Sequence, residues 1–135
     1  MWLFELLDEE FQFTRDVAAS EVNAVIMPFW TKADDALSRS WAEERVWCNP
    51  PYSGGMKEKF ARKAYEETEK HCPLVVMLLP SCTDQKWFHE LVRPPRVLTY
   101  FIEGRVKFEG GKWSARDSHM ILVFRNREFV GWRKP

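Results

Sequence analysis

Val46-Trp47-Cys48-Asn49-Pro50-Pro51-Tyr52-Ser53 joins an apolar, β-prone approach to a helix-like stretch, and its reading decides how the rest of the chain is arranged. Two adjacent prolines neither extend a helix nor donate to a sheet ladder. Each also pushes the residue before it toward extended geometry. The result is a stiff turn at a strand's end, with the Asn49 amide on one side and the Tyr52 ring on the other. Such a corner can hold a planar heterocycle that bears an amino group. The amide oxygen and a proline carbonyl accept from the amino hydrogens, and the tyrosine stacks on the ring. A purely structural Pro-Pro turn is the competing reading of these four residues taken alone.

Working outward, Arg45 to Cys48 is the strand that feeds the turn, and Ser53-Gly54-Gly55 is a hinge-like loop with Ser53 a candidate cap for the next helix. Lys57 to Lys70 reads as that helix, with Phe60, Ala64 and Tyr65 on one face and a favourable Glu58–Arg62 pair. Leu74 to Leu79 is a continuous apolar run between Pro73 and Pro80, the pattern of a strand buried on both faces as in a parallel sheet. Thr83 is the expected N-cap of a helix reaching Val92. Toward the N-terminus, Leu3, Phe4, Leu6, Leu7 and Phe11 recur at helical spacing. Phe13 to Ala18 and Val25 to Met27 are short strand candidates, and Asp34 to Trp41 is a short helix or loop. Strands are further expected at Val97 to Ile102, Met120 to Phe124 and Phe129 to Trp132. Alternating strands and helices argue for an α/β sheet covered by helices, with an antiparallel last pair because no helix separates those strands.

Composition bounds the possibilities. The chain has 135 residues, enough for one domain with a genuine core, and 45% of them are apolar. Three widely spaced cysteines (Cys48, Cys72, Cys82) contain no C-x-x-C pair, which argues against a disulfide framework and a zinc site. The histidines at 71, 89 and 119 are scattered and read as structural or surface residues, so no metal is expected. Neither a signal pattern nor an apolar run of about 20 residues is present, so the expectation is a soluble intracellular protein without a membrane span. The net charge of zero hides an asymmetry. Residues 1–85 carry 9 Lys+Arg against 15 Asp+Glu, and residues 86–135 carry 11 against 5. A basic C-terminal third suits an anionic partner such as a phosphate backbone.

Several spaced segments then match one family in order: Glu10 to Ser20, Asn23-Ala24, Asp35-Ala36-Leu37, Trp47 to Ser53, Leu79-Pro80, Thr83-Asp84, Lys86 to His89, and Gly104 to Phe108. With these, about residues 3 to 126, the chain resembles the phage-type (Dam-like) DNA adenine-N6 methyltransferases, whose motif (Asp/Asn/Ser)-Pro-Pro-(Tyr/Phe/Trp) matches Asn49, Pro50, Pro51 and Tyr52. The resemblance implies one methyltransferase domain over residues 1–135. Its sheet would be compact and Rossmann-like, mostly parallel with an antiparallel C-terminal hairpin. The implied cofactor is S-adenosylmethionine and the implied partner is DNA, with the target adenine flipped out of the stack. Asp16, Ala18, Asn23 and Asp35 would meet the cofactor, with Asp34 and a helix cap as competing readings at Asp35. Arg105, Lys107, Lys112 and Arg116 would meet DNA, chiefly its phosphates. The resemblance also implies a phage or prophage protein acting in the cytoplasm of a bacterial host.

The chain departs from the pattern in places. There is no Gly-x-Gly loop after the first strand, and only 32 residues (17–48) separate Asp16 from Asn49, so the donor site is expected to be compact. The basic loop is short for a recognition domain, which points to a homodimer or to modest target specificity. Two other readings use the same residues: an amino-methyltransferase acting on RNA or on protein glutamine, and a decayed relative that binds nucleic acid without catalysis.

Overall fold

The computed structural model describes residues 2–18, 28–52, 54–81, 83–103 and 118–128. Helix α1 (Trp2–Phe11) leads into β1 (Arg15–Asp16), and two short 3-10 turns (Lys32–Asp34 and Ala36–Ser38) precede β2 (Arg45–Cys48). Next come α2 (Met56–Glu69), β3 (Leu74–Pro80), α3 (Lys86–Leu91), β4 (Val97–Phe101) and β5 (His119–Arg125). The strands form one sheet in the order β1-β2-β3-β5-β4.

The expectation of a mostly parallel sheet is not met. β1 pairs with β2 and β2 with β3 in parallel, whereas β5 is antiparallel to both β3 and β4. The last two described strands, β4 and β5, pair antiparallel, as expected for the C-terminal pair. What the apolar pattern did not carry is the insertion of β5 between β3 and β4. Burial of β3 on both faces is correct, but burial depends on the layers above and below and is blind to the direction of the neighbouring strand.

Alternating residues of the strands divide the core in two. One face packs Val46, Cys48, Val75, Met77, Leu79, Met120, Leu122 and Phe124 against Phe60, Ala61 and Ala64 of α2 and Trp87 and Leu91 of α3. The other face packs Trp47, Leu74, Val76, Leu78, Ile121 and Val123 against Phe4 and Phe11 of α1 and against Phe13. On this second face the Trp47 ring lies 5.3 Å from that of Phe4 and 5.6 Å from that of Phe13. That aromatic cluster fixes β2 two residues before Asn49.

The helix ends differ from expectation. α2 starts after Gly55, which takes a left-handed φ of 73°, so the cap position belongs to glycine; Ser53 lies outside the described residues. The Glu58–Arg62 pair forms at 2.8 Å, and Arg62 also reaches Glu90 of α3 at 2.7 Å. α3 starts after Gln85, so Thr83 is not its cap, and the Thr83 carbonyl bonds the His89 ring instead. β1 is shorter than the expected 13–18 strand, although the Thr14 and Val17 amides still bond the carbonyls of Arg45 and Trp47. The strand candidates at 25–27 and 129–132 lie outside the described residues. Among the described residues no helix is long and apolar enough to cross a membrane.

Candidate active site

β1, β2 and β3 run in one direction, so their carboxyl ends lie along a single edge, the usual ligand-binding edge of an α/β sheet. Asp16 ends β1 and Cys48 ends β2 beside it, with Asn49 next in the chain. Neighbouring strands lie about 4.8 Å apart, which places the β1 carboxylate close to the Asn-Pro-Pro-Tyr turn.

The turn is anchored from below. Cys48 and Pro50 are buried, Pro51 is exposed, and Asn49 and Tyr52 are half-buried. The Tyr52 hydroxyl donates to Asn49 Oδ1 at 2.9 Å, so the amide and the ring form one unit. Burial, with the Cys48 thiol next to it, pushes the Tyr52 phenol far above its ordinary value. It therefore keeps its proton and stays a donor at neutral pH. Cys48 is likewise pushed up, by burial first and by the Asp16 charge second. A buried neutral thiol is a poor nucleophile, which leaves the corner with hydrogen bonding rather than covalent chemistry.

Asp16 is only 3% exposed. Its Oδ1 accepts the Ala18 amide at 3.1 Å, and its backbone carbonyl accepts the Trp30 amide at 2.8 Å. Phe29 bridges Asp16 in parallel on the outer side of β1. The Arg15 guanidinium lies 4.4 Å from the centre of the Trp30 ring, with Arg39 at 5.5 Å, a cation–π contact that pins this segment. The structure thus brings together Asp16, Ala18, Asn49, Pro50, Pro51 and Tyr52 of the residues singled out from sequence.

The neighbouring acids at 34 and 35 separate cleanly. Asp34 Oδ2 accepts the Thr31 amide at 2.8 Å and the Thr31 hydroxyl at 3.2 Å. Those bonds, the backbone one first, hold its carboxyl below the usual range. Asp34 is a turn-closing residue. Asp35 is exposed, with a left-handed φ of 53°, a conformation uncommon outside glycine. Among the described residues no hydrogen bond to its carboxylate is present. Asn23, Arg105, Lys107, Lys112 and Arg116 lie outside the described residues.

Sequence reasoning missed His119. It opens β5, pairs in register with Pro80 at the end of β3, and is 2% exposed. Its ring centroid is 5.9 Å from that of Tyr52 at an angle of 54°. No local signal marks it: a lone histidine before an apolar strand reads as structural, and the place of β5 beside β3, which carries it to this edge, is not visible in the pattern.

A family model for DNA N-6-adenine-methyltransferases (Dam) matches residues 1–131. The chain is 31% identical over 109 residues to a DNA N-6-adenine-methyltransferase of Haemophilus phage HP1 (strain HP1c1), covering 79% of the chain and 62% of that protein. It is 39% identical over 80 residues to a DNA N-6-adenine-methyltransferase of Escherichia phage T1, covering 58% of the chain and 32% of that protein. The matches thus span about three fifths and about one third of those relatives' lengths.

Proposed function

The chain belongs to the DNA N-6-adenine-methyltransferase (Dam) family, and from that premise we propose that it methylates the N6 amino group of adenine in DNA with S-adenosylmethionine as donor. The observation that carries this reading is the Asn49–Tyr52 unit, bonded at 2.9 Å, at the sheet edge beside the buried carboxylate of Asp16. The names of both phage relatives specify DNA adenine as the substrate. Here a flipped adenine is taken to stack on Tyr52 while Asn49 Oδ1 and the Pro50 carbonyl accept its amino hydrogens. Those bonds favour a nitrogen whose lone pair is free to attack, so catalysis is positioning and polarisation.

The donor set fits the cofactor. A buried carboxylate at a strand's carboxyl end suits the ammonium of an amino-acid moiety, with the Ala18 backbone beside it, and the exposed, left-handed Asp35 suits an adenine amino group; Asn23 stays a cofactor candidate on the resemblance alone. When bound, S-adenosylmethionine supplies a sulfonium methyl for displacement by the amino nitrogen. Asp16 holds and orients, Asn49 aims the acceptor, and no side chain forms a covalent bond. The single-domain organisation over residues 1–135 and the host cytoplasm as its place of action remain part of this reading.

The decisive experiment measures methyl incorporation from labelled donor into duplex DNA, RNA and protein, with sequencing of the modified adenines. Incorporation into duplex DNA alone is expected. Transfer to RNA or glutamine in its place would overturn the substrate, and no transfer with no binding of S-adenosylhomocysteine at millimolar ligand would favour a non-catalytic binder. Arg105→Ala with Lys107→Ala should weaken DNA binding and lower the slope of log K against log salt by about 2. An unchanged slope removes that segment from the interface. Sedimentation with and without DNA decides between a homodimer and a monomer of modest target specificity.

A further inference from the structure

Tyr52 is gripped at both ends of its side chain: its hydroxyl by Asn49 Oδ1 at 2.9 Å, its ring by His119 at 5.9 Å between centroids. We propose that this two-point grip is a positioning device for the acceptor base, in which His119, acting through Tyr52, sets the plane of the stacking ring while the Tyr52 hydroxyl keeps the Asn49 oxygen turned into the pocket. The proposal rests on the adenine-pocket reading above.

The hydroxyl end follows from amide chemistry. Oxygen and NH2 of an asparagine exchange places by a half-turn, and only the oxygen accepts a donated proton. The Tyr52 hydroxyl donates to Oδ1 at 2.9 Å, and that bond holds the amide with its oxygen on the Tyr52 side. The oxygen's second lone pair remains for the adenine amino hydrogen. Without the hydroxyl the amide is free to present NH2, donor against donor.

The ring end follows from where His119 sits. The prolines stiffen the backbone ahead of Tyr52, but the chain beyond it runs toward Gly54 and Gly55, both at positive φ, and a stiff backbone does not by itself fix the plane of the Tyr52 ring. His119 is the first residue of a seven-residue strand paired on both sides, and it is almost fully buried. A loop residue flanked by a rigid element holds its geometry better than one left to itself.

The test uses the full-length protein and a duplex carrying the methylation site mapped by sequencing, with 2-aminopurine at the target adenine for the fluorescence arm. Tyr52→Phe keeps the ring and loses the donor; its kcat should fall about fivefold, the value of one ordinary hydrogen bond, with KM for DNA nearly unchanged. An unchanged or raised kcat overturns the orienting role, since a hydroxyl that merely competed for Oδ1 would slow the native enzyme. His119→Leu keeps volume without a ring and should brighten the bound 2-aminopurine about twofold or more as stacking on Tyr52 loosens, with a lower kcat. His119→Phe restores a flat flank and should return both readings toward the native values. A purely structural His119 would lower melting temperature without altering the brightness of the bound probe, and that result overturns the proposal, as does a His119→Phe variant as impaired as His119→Leu. Asn49→Ala separates the two levels. If it stays fully active, the base pocket itself is wrong; if it is inactive while Tyr52→Phe and His119→Leu behave natively, only the grip is wrong.

Discussion

The two halves of the sheet do different work. In the parallel half, β1, β2 and β3 end along one edge, and the last residues of β1 and the turns just after β1 and β2 supply Asp16, Ala18 and the Asn49–Tyr52 corner. In the antiparallel half, β5 runs the other way, so it is the strand's beginning that meets that edge, and it contributes one residue, His119. Parallel strands gather polar groups because every chain end there is a loop with side chains free of the ladder. A reversed strand brings a residue already locked into its register. On the function proposed above, the first half presents the chemistry and the second a rigid wall.

That contrast can be broken most forcefully at Trp47. Replacing it by Ala opens the Phe4–Phe13–Trp47 cluster beneath the corner and should cost about 3–5 kcal/mol in urea unfolding. Phe101→Ala, at the 66% exposed end of β4, should change stability by less than about 0.5 kcal/mol. Equal effects would mean that the corner is not braced through β2. Next in size, Asn49→Ala should lower kcat by about 10²–10³ with the fold intact by circular dichroism, as for loss of one preorganised group; full activity would remove the corner from catalysis. Asp16→Asn should weaken S-adenosylhomocysteine binding by about tenfold or more in calorimetry. Asp35→Ala should cost about fivefold, and the turn-closing Asp34→Ala should leave ligand affinity alone while lowering the melting temperature. If Asp34 proves the stronger ligand-binding residue, the assignment of the pair is reversed.

A separate effect concerns pH. Cys48 and Tyr52 have folded-state values raised above their ordinary 9.0 and 10.0, so their stabilising contribution is complete below pH 9 and is lost as pH rises and the unfolded chain ionises. Stability should decline by up to about 1.4 kcal/mol per pH unit for each group, from about pH 9 for Cys48 and from about pH 10 for Tyr52. Cys48→Ala should start less stable yet decline less steeply in denaturant midpoints measured across that range, and an unaltered slope would mean that the thiol is not buried as described.

Local rules were enough for much of this molecule. Proline chemistry marked the corner, helical periodicity located α1 and α2, and a bounded apolar run located β3, because each of these depends on residues a few positions apart. The pair Glu58–Arg62 was legible for the same reason. Asp34 and Asp35 were ambiguous as neighbours in a string and became distinct once the Thr31 bonds and the left-handed backbone at 35 were in place. The place of β5 between β3 and β4, and with it the meeting of His119 and Tyr52 across 67 positions of chain, follows from how whole strands share a sheet. Apolar residues are satisfied by burial beside either a parallel or an antiparallel partner, so strand order is settled by the packing of complete layers.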